Sequence, residues 1–535
     1  MGWSDIGCFG SEINTPNIDK LADAGVKFTQ FYNAARCCPS RASLLTGLYP
    51  HQAGVGHMLW PTGLPGYMTR LSRDAVTIAE VLKHAGYGTY MTGKWHLAER
   101  IADPANPVGW PLDRGFDKFY GTLAGYGSFY DPATLCRQNT YITPDNDPQY
   151  KTDDYYYTDA ISDNAIKYLK DHRAASADKP FFLYVAYTAA HWPIQAPEEA
   201  IAPYKGKYDA GYDAIRKQRI AKLNKLGLMP PVTEPAPTTG DWDAVKDKAY
   251  EARRMEVFAG MVSRMDEGIG RIVEHLRASA ELEKTLILYL HDNGGCDEEF
   301  FHNNRRRPQN VHVMKDDELQ DRTLPPMQTR DGKVVKTGEG VLAGPATSFV
   351  GYGPGWANVS NTPLRLVKKN AHEGGISTPL IVHWPAGMRS AKEKTVAAPS
   401  HLIDLMPTVV ELAGATYPKE FEGQRIQPME GRSLVPLITG AGEFERGEPL
   451  FWEHEGHRSV RDGKWKLVAE EDKPWELYDI EVDRGEMNNL ASKHPERVEQ
   501  MAAAWDAYAE RAKVRPYGAH RLRKPSPDPK GLTTQ

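Results

Sequence analysis

The stretch "AYEARRMEVFAGMVSRMDEGIGRIVEHLRAS", Ala249–Ser279, leads shortly into "KTLILYLHDNGG", Lys284–Gly295. The first segment carries apolar residues at helical spacing with charges between them, which predicts one long amphipathic helix. The second is an apolar run too short for a helix, and it stops on Asp292 and Asn293. A helix that feeds a buried strand ending in polar residues is the repeating unit of an α/β sheet.

The same rhythm extends in both directions. Upstream, "AVTIAEVLKHAGYGTYMTGKWHL" (Ala75–Leu97) predicts a helix stopped by Gly86 and a short strand ending at Gly93 to His96. "KPFFLYVAYTAAHWPIQAP" (Lys179–Pro197) predicts a buried strand that closes on His191. Downstream, "STPLIVHWPAG" (Ser377–Gly387) and "SHLIDLMPTVVELAG" (Ser400–Gly414) repeat strand then helix, with Pro407 suited to a first helical turn. The expected class is α/β, a large, mainly parallel mixed sheet flanked by helices. After about residue 445 the pattern changes. "SVRDGKWKLVAE" (Ser459–Glu470) carries an Asp-Gly hairpin signal, "WELYDIEVDRGEMNNLA" (Trp475–Ala491) adds a strand, and "PERVEQMAAAWDAYAERAKV" (Pro495–Val514) reads as a helix. The expected division is therefore a catalytic domain over 1–444 and a small α+β domain over 445–535.

With 65 basic and 70 acidic residues and a formal charge of -5, the chain has no basic run or RNA-binding signature, so nucleic acid is not an expected partner. No stretch of about 18 apolar residues and no signal sequence is visible, which predicts a soluble chain, cytoplasmic as it stands and periplasmic if residues precede Met1. The five cysteines (Cys8, Cys37, Cys38, Cys136, Cys296) are odd in number and scattered, and they predict reduced thiols. Two segments, Lys205–Asp241 and Phe300–Ser360, are too long and polar for ordinary connections. They read as surface insertions, or the second as the cover of a pocket.

Ligands of open α/β sheets collect beyond the carboxyl ends of strands. Those ends offer Lys94 with His96, then His191, then Asp292 with Asn293. Singly, these read as a surface lysine, a core histidine and an Asp-Asn-Gly-Gly turn. Their recurrence at strand ends points to one polar site. Trp60, Tyr120, Tyr126, Tyr130 and Trp356 could line an aromatic pocket beside it, although ordinary packing explains them better.

"CCPSRASLLTG", Cys37–Gly47, decides the chemistry. It matches the C-x-P-S-R-x-x-x-L-T-G signature, and the chain thereby resembles the formylglycine-dependent sulfatases, bacterial arylsulfatases in particular, with an alkaline-phosphatase/sulfatase-like fold. "TGKWHL", "AHWP", "HDNGG", "NTPLR" and "KKNAHEGGISTP" resemble the family's other blocks in order, and "YDAGYDAIRKQRIAKLNKLGLMPP" resembles an insertion of the bacterial members. Vicinal cysteines make a poor disulfide. In this resemblance Cys37 alone carries chemistry, and Cys38 fills a variable slot as a small buried hydrophobe.

The resemblance implies that a formylglycine-generating enzyme oxidises Cys37 to an aldehyde whose hydrate is the nucleophile. One hydroxyl takes sulfate, and deprotonating the other expels it. It also implies that Arg41 holds those hydroxyls and that Lys94 and Lys368 bind sulfate oxygens. His96 would deprotonate the diol, while His191 would protonate the leaving alcohol or phenol with help from Lys368. Asp292, Asn293 and the modified Cys37 would bind a divalent cation, calcium or alternatively magnesium. The implied substrate is a small sulfate ester, an aryl sulfate first. The alternatives are a phosphonate monoester or phosphodiester hydrolase of the same superfamily, and a non-catalytic anion-binding protein.

One departure bears on the metal. Family members usually carry an apolar strand ending in two metal-binding aspartates just ahead of the segment that resembles "GWSDIGCFG", Gly2–Gly10. Here Met1 precedes that segment directly. The expectation is a missing sheet strand and an incomplete metal site, with Asp5 as a substitute ligand or simply a turn residue.

Overall fold

In the computed structural model, which describes every residue except 61, 99–103, 233–234, 300–307, 309, 389–393 and 519–535, the α/β strands form two five-stranded sheets. They are β1 (Val26–Tyr32), β2 (Gly88–Gly93), β3 (Lys118–Thr122), β4 (Leu135–Arg137), β5 (Thr140–Tyr141), β6 (Phe181–Ala186), β7 (Ile287–Leu290), β8 (Ser377–His383), β9 (Thr395–Val396) and β10 (Ser400–His401). One sheet runs β5-β4-β3-β2-β6; the other runs β10-β1-β8-β7, with β9 also on β1. β2 pairs parallel with β3 and β6. β8 runs antiparallel to both β1 and β7, while β9 and β10 lie parallel to β1. The class is α/β with mixed sheets and flanking helices.

Local chemistry sets the elements. Thr77 caps the helix Ile78–His84 by accepting from the Glu80 amide, and the Glu80 carboxylate accepts in return from the Thr77 amide at 2.6 Å. The Ala249–Ser279 stretch forms a helix from Lys248 to Ala278, its apolar face packed on the helix Tyr157–Ser176 and on the short N-terminal helix Pro16–Ala24.

β6 and β7 depart from expectation. They were expected as buried strands, yet Phe181–Val185 and Leu286–Leu290 are only half-buried. Each is an edge strand, β6 paired with β2 alone and β7 with β8 alone, and both border empty space. The strands Phe181–Ala186 and Ile287–Leu290 face a common cavity of about 840 Å³, which is also lined by Met1, Arg41, Tyr184 and Asp292. Apolar side chains and unpaired backbone edges therefore border the same slot.

The first polar insertion is not all surface. It holds a helix, Gly211–Leu226, whose Arg219 is fully buried and pairs with Asp5 at 2.9 Å and Glu12 at 2.8 Å. In the second, most of "HNNRRRPQN" lies outside the described residues; Gly353–Ser360 is a buried helix.

Beyond a small hairpin, β11 (Glu420–Phe421) with β12 (Gln424–Arg425), the chain builds a four-stranded antiparallel sheet. Its strands are β13 (Leu450–His454), β14 (His457–Asp462), β15 (Trp465–Ala469) and β16 (Glu476–Asp479). The helix Pro495–Arg511 covers one face, with Met501 packed against Val460, Leu467 and Leu477. The seam with the larger sheet is polar as well as apolar. Lys466 reaches Glu373 at 2.9 Å and Glu486 at 2.8 Å, Arg484 joins Glu373 at 2.9 Å, and all four side chains are buried. Among the described residues no helix is long and apolar enough to cross a membrane.

Candidate active site

Cys37 opens a ten-residue helix, Cys37–Thr46, with Arg36 in extended conformation as its N-cap. The first amides of a helix are unpaired and carry the positive end of its dipole, so an anion at Cys37 is favoured. One turn on, Arg41 lies on the same face. Its Nε donates to Asp292 Oδ2 at 3.1 Å, and its Nη1 donates to the Lys94 carbonyl at 2.6 Å. That single guanidinium ties the helix to the ends of β2 and β7, one from each sheet.

Lys94 and His96 follow β2 by tight geometry. Gly93 has φ +100, and a Cβ there would lie 2.1 Å from the Ala186 carbonyl oxygen, so glycine alone allows the Lys94 amide to bond that carbonyl at 2.8 Å. His96 is itself left-handed, at φ 56, and packs over Gly125, where a Cβ would come within 2.2 Å of the ring. Its Nε2 lies 3.2 Å from Cys38 Sγ. Here the reading of Cys38 needs correcting. It is fully buried, as expected, but its thiol is part of the site's polar contacts and not merely an apolar filler.

His191 lies five residues past β6, in the loop rather than at the strand end itself. Its Nδ1 is 2.8 Å from the Trp192 carbonyl, which makes Nδ1 the N–H donor and turns the Nε2 lone pair toward Lys368 Nζ at 3.4 Å. Lys368 also contacts Cys296 Sγ at 3.5 Å.

The electrostatics divide the site. Hydrogen bonding from Cys38, with help from Lys94 and His96 against burial, holds the Cys37 thiol well below its ordinary value. Burial pushes His96 down to about 4, and burial with the Lys368 charge pushes His191 down as well, so both imidazoles are neutral at pH 7. Burial also lowers Lys94. Burial would lower Lys368 too, but Cys296 and Glu298 outweigh it and hold the ammonium above its usual range. For Asp292, burial is outweighed by Arg41 and Lys94, and the carboxylate stays ionised.

Cys37, Arg41, Lys94, His96, His191, Asp292 and Lys368 thus come together through direct or electrostatic contact. Asn293 is buried beside Asp292, its amide nitrogen donating to the Gly294 carbonyl at 2.8 Å. Of the aromatic candidates, Tyr120 and Trp356 belong to the core, while Trp60 is largely exposed. Tyr126 does reach the site, stacked on His191 with ring centroids 6.0 Å apart.

Sequence reasoning missed Glu298. Its carboxylate accepts from Trp192 Nε1 at 2.6 Å and sits 3.4 Å from Arg36, 3.7 Å from Lys369 and 3.8 Å from Lys368. In "CDEEF" it was indistinguishable from an ordinary solvated acidic run. Its spacing, six residues past Asp292 on the same strand-end loop, was the available signal.

The metal expectation meets an obstacle. Calcium takes about six to eight oxygens. Asp292, Asn293 and one oxygen at position 37 fall short, and one Asp292 oxygen already accepts from Arg41. Asp5 does not substitute, because its two oxygens are engaged by Arg219 at 2.9 Å and by the Gly2 amide at 2.6 Å. Among the described residues, Asp292, Asn293, position 37 and Asp5 do not complete a calcium or magnesium site.

Comparison with known proteins supplies the family. The family model described as Sulfatase matches residues 1–415, and one described as N-sulphoglucosamine sulphohydrolase, C-terminal, matches residues 366–505. An uncharacterized sulfatase of Schizosaccharomyces pombe is 33% identical, covering 95% of this chain and 91% of that protein. An arylsulfatase of Klebsiella aerogenes is 34% identical, covering 84% of this chain and 92% of that protein. The crystal structure of Ps i-CgsB in complex with k-i-k-neocarrahexaose has a TM-score of 0.64 at 25% identity, covering 95% of this chain and 90% of that one. The phosphonate monoester hydrolase of Agrobacterium radiobacter, with a TM-score of 0.56 at 18% identity over 96% of this chain and 94% of that one, shares the fold. The chain belongs to the sulfatase family and is a sulfuric ester hydrolase.

Proposed function

We propose that the chain hydrolyses small sulfate monoesters, aryl sulfates first, through a formylglycine made from Cys37 by a formylglycine-generating enzyme. The observation that carries this reading is the convergence of Lys94, Arg41, His96 and the His191–Lys368 pair around the first residue of one helix. The modification supplies two hydroxyls on one carbon, one to take sulfate and one to expel it. The side chains divide the remaining work. Lys94 and Lys368 hold sulfate oxygens, and the helix N-terminus adds its amides. Arg41 orients the group at position 37 while keeping Asp292 beside it. His96, neutral, accepts a proton at Nε2. Because the Lys368 ammonium keeps its proton while His191 is neutral with Nε2 turned to it, the leaving-group proton is held on Lys368 and delivered directly or through His191.

Calcium, or magnesium, belongs to this proposal only with further oxygen ligands. Asp292 and Asn293 then serve as two of them.

The test begins with mass spectrometry of the peptide containing Cys37, expected about 18 Da lighter than the cysteine form; an unmodified thiol in active protein ends the reading. Assays with an aryl sulfate, a sulfated saccharide, an aryl phosphonate and a phosphodiester rank the substrates. Turnover of none of them, with position 37 converted, would leave anion binding alone. Lys368→Ala should lower kcat about a hundredfold or more, because a charged donor aimed at developing negative charge contributes about 3 to 4 kcal/mol.

A further inference from the structure

The second cysteine of the vicinal pair has no part in the proposed chemistry, and its surroundings are specific. Cys38 is fully buried, with its sulfur 3.2 Å from His96 Nε2 and 3.7 Å from the Met58 sulfur. The ligand atoms of Cys37, Cys38 and His96 all lie within 4.8 Å of one another, the one such trio of Cys, His or carboxylate groups among the described residues. Met58 is buried at 8% exposure.

Donor type and charge select the ion. Two thiols, an imidazole and a thioether are soft or borderline ligands, suited to thiophilic d10 cations and ill-suited to calcium. Zinc–sulfur and zinc–nitrogen bonds of about 2.3 and 2.0 Å fit inside such a cluster with little movement. Two thiolates give a neutral complex with Zn2+ and a singly negative one with Cu+. Lys94 acts electrostatically on both thiols, and Arg41 on Cys37, so the surroundings favour the negative complex. The Met58 thioether is likewise a copper ligand more than a zinc ligand.

We propose that, while position 37 is still a cysteine, Cys37, Cys38 and His96 form a binding site for a thiophilic d10 cation, with Cu+ preferred and Met58 as its fourth ligand. Binding forms two metal–thiolate bonds, one metal–imidazole bond and one metal–thioether bond, with any proton still on either thiol released to solvent; no electron moves. Replacing the Cys37 sulfur with an aldehyde removes one of the two thiolates, so the site exists in the unconverted chain and is lost on maturation. A metal-loaded chain has its Cys37 sulfur masked and its His96 engaged.

The experiment uses the full chain, reduced and under anaerobic conditions, with the Cys37 thiol verified by mass. Cu+ is titrated in competition with a chromophoric Cu+ chelator, and Zn2+ in parallel with a zinc-binding dye. The expected result is one Cu+ per chain, weakened about a hundredfold or more by Cys38→Ser and about tenfold by Met58→Leu, with Zn2+ weaker and insensitive to Met58→Leu. Thermal unfolding checks that the variants fold, and Cys38→Ala replaces Cys38→Ser if that one does not. Equal Cu+ affinity in the Cys38 variant, retention in a chain whose position 37 has been converted, or no stoichiometric binding overturns the proposal. Tighter binding of Zn2+ than of Cu+ overturns the copper preference.

Discussion

The two sides of this molecule both have edge strands, β13 and β16 on one and β6 and β7 on the other, but β6 and β7 border a shared cavity. In the C-terminal sheet each strand is paired in sequence order, β13 to β14 to β15 to β16, one face is covered by the helix Pro495–Arg511, and buried ion pairs fasten the sheet to its neighbour. In the catalytic half, β6 and β7 each leave one edge unpaired along a slot lined with their own apolar side chains. The difference teaches where stability resides. A hairpin sheet pairs neighbours in sequence, whereas the two larger sheets rely on strands brought from distant parts of the chain.

The largest effect should come from the closed side. Lys466→Met leaves Glu486 without its cation in the seam and Glu373 with Arg484 alone, and removing one partner of a buried ion network costs about 3 to 5 kcal/mol. A loss below about 1 kcal/mol would show the seam to be held by apolar packing alone.

The smallest effect concerns acid. His291, next to the slot, and His401, at the seam, are both lowered to about 3, chiefly by burial. With an unfolded value near 6.5, the unfolded chain takes up these protons first as pH falls, so stability is complete above about pH 6.5 and declines toward pH 3. Between pH 7 and 5 each histidine should account for about 2 kcal/mol. His401→Gln should remove that share of the slope; an unaltered slope would mean His401 is not neutral in the folded state.

Legibility followed the same division. The helix Lys248–Ala278, the hairpin of β14 and β15, and the helix from Pro495 were readable because their periodicity and turn residues are local. Cys37, Arg41, Lys94, His96, His191 and Lys368 were singled out because each lies in a short block. Glu298 was not, since its role comes from partners that converge on it, Arg36, Trp192, Lys368 and Lys369 among them. Asp5 shows the opposite case. A carboxylate near the site invited a metal role, and only the folded chain brings Arg219, 214 positions away, onto it.

By itself, then, the amino-acid order determined the alternation of helix and strand, the family signature and the side chains proposed for the chemistry, since each depends on residues within a few positions of one another. Tertiary structure alone decided which imidazoles are neutral, that Cys38 faces His96 and Met58, and that the catalytic half is two sheets with a slot between them. Burial, charge environment and strand pairing are made by residues hundreds of positions apart, and no local pattern carries them.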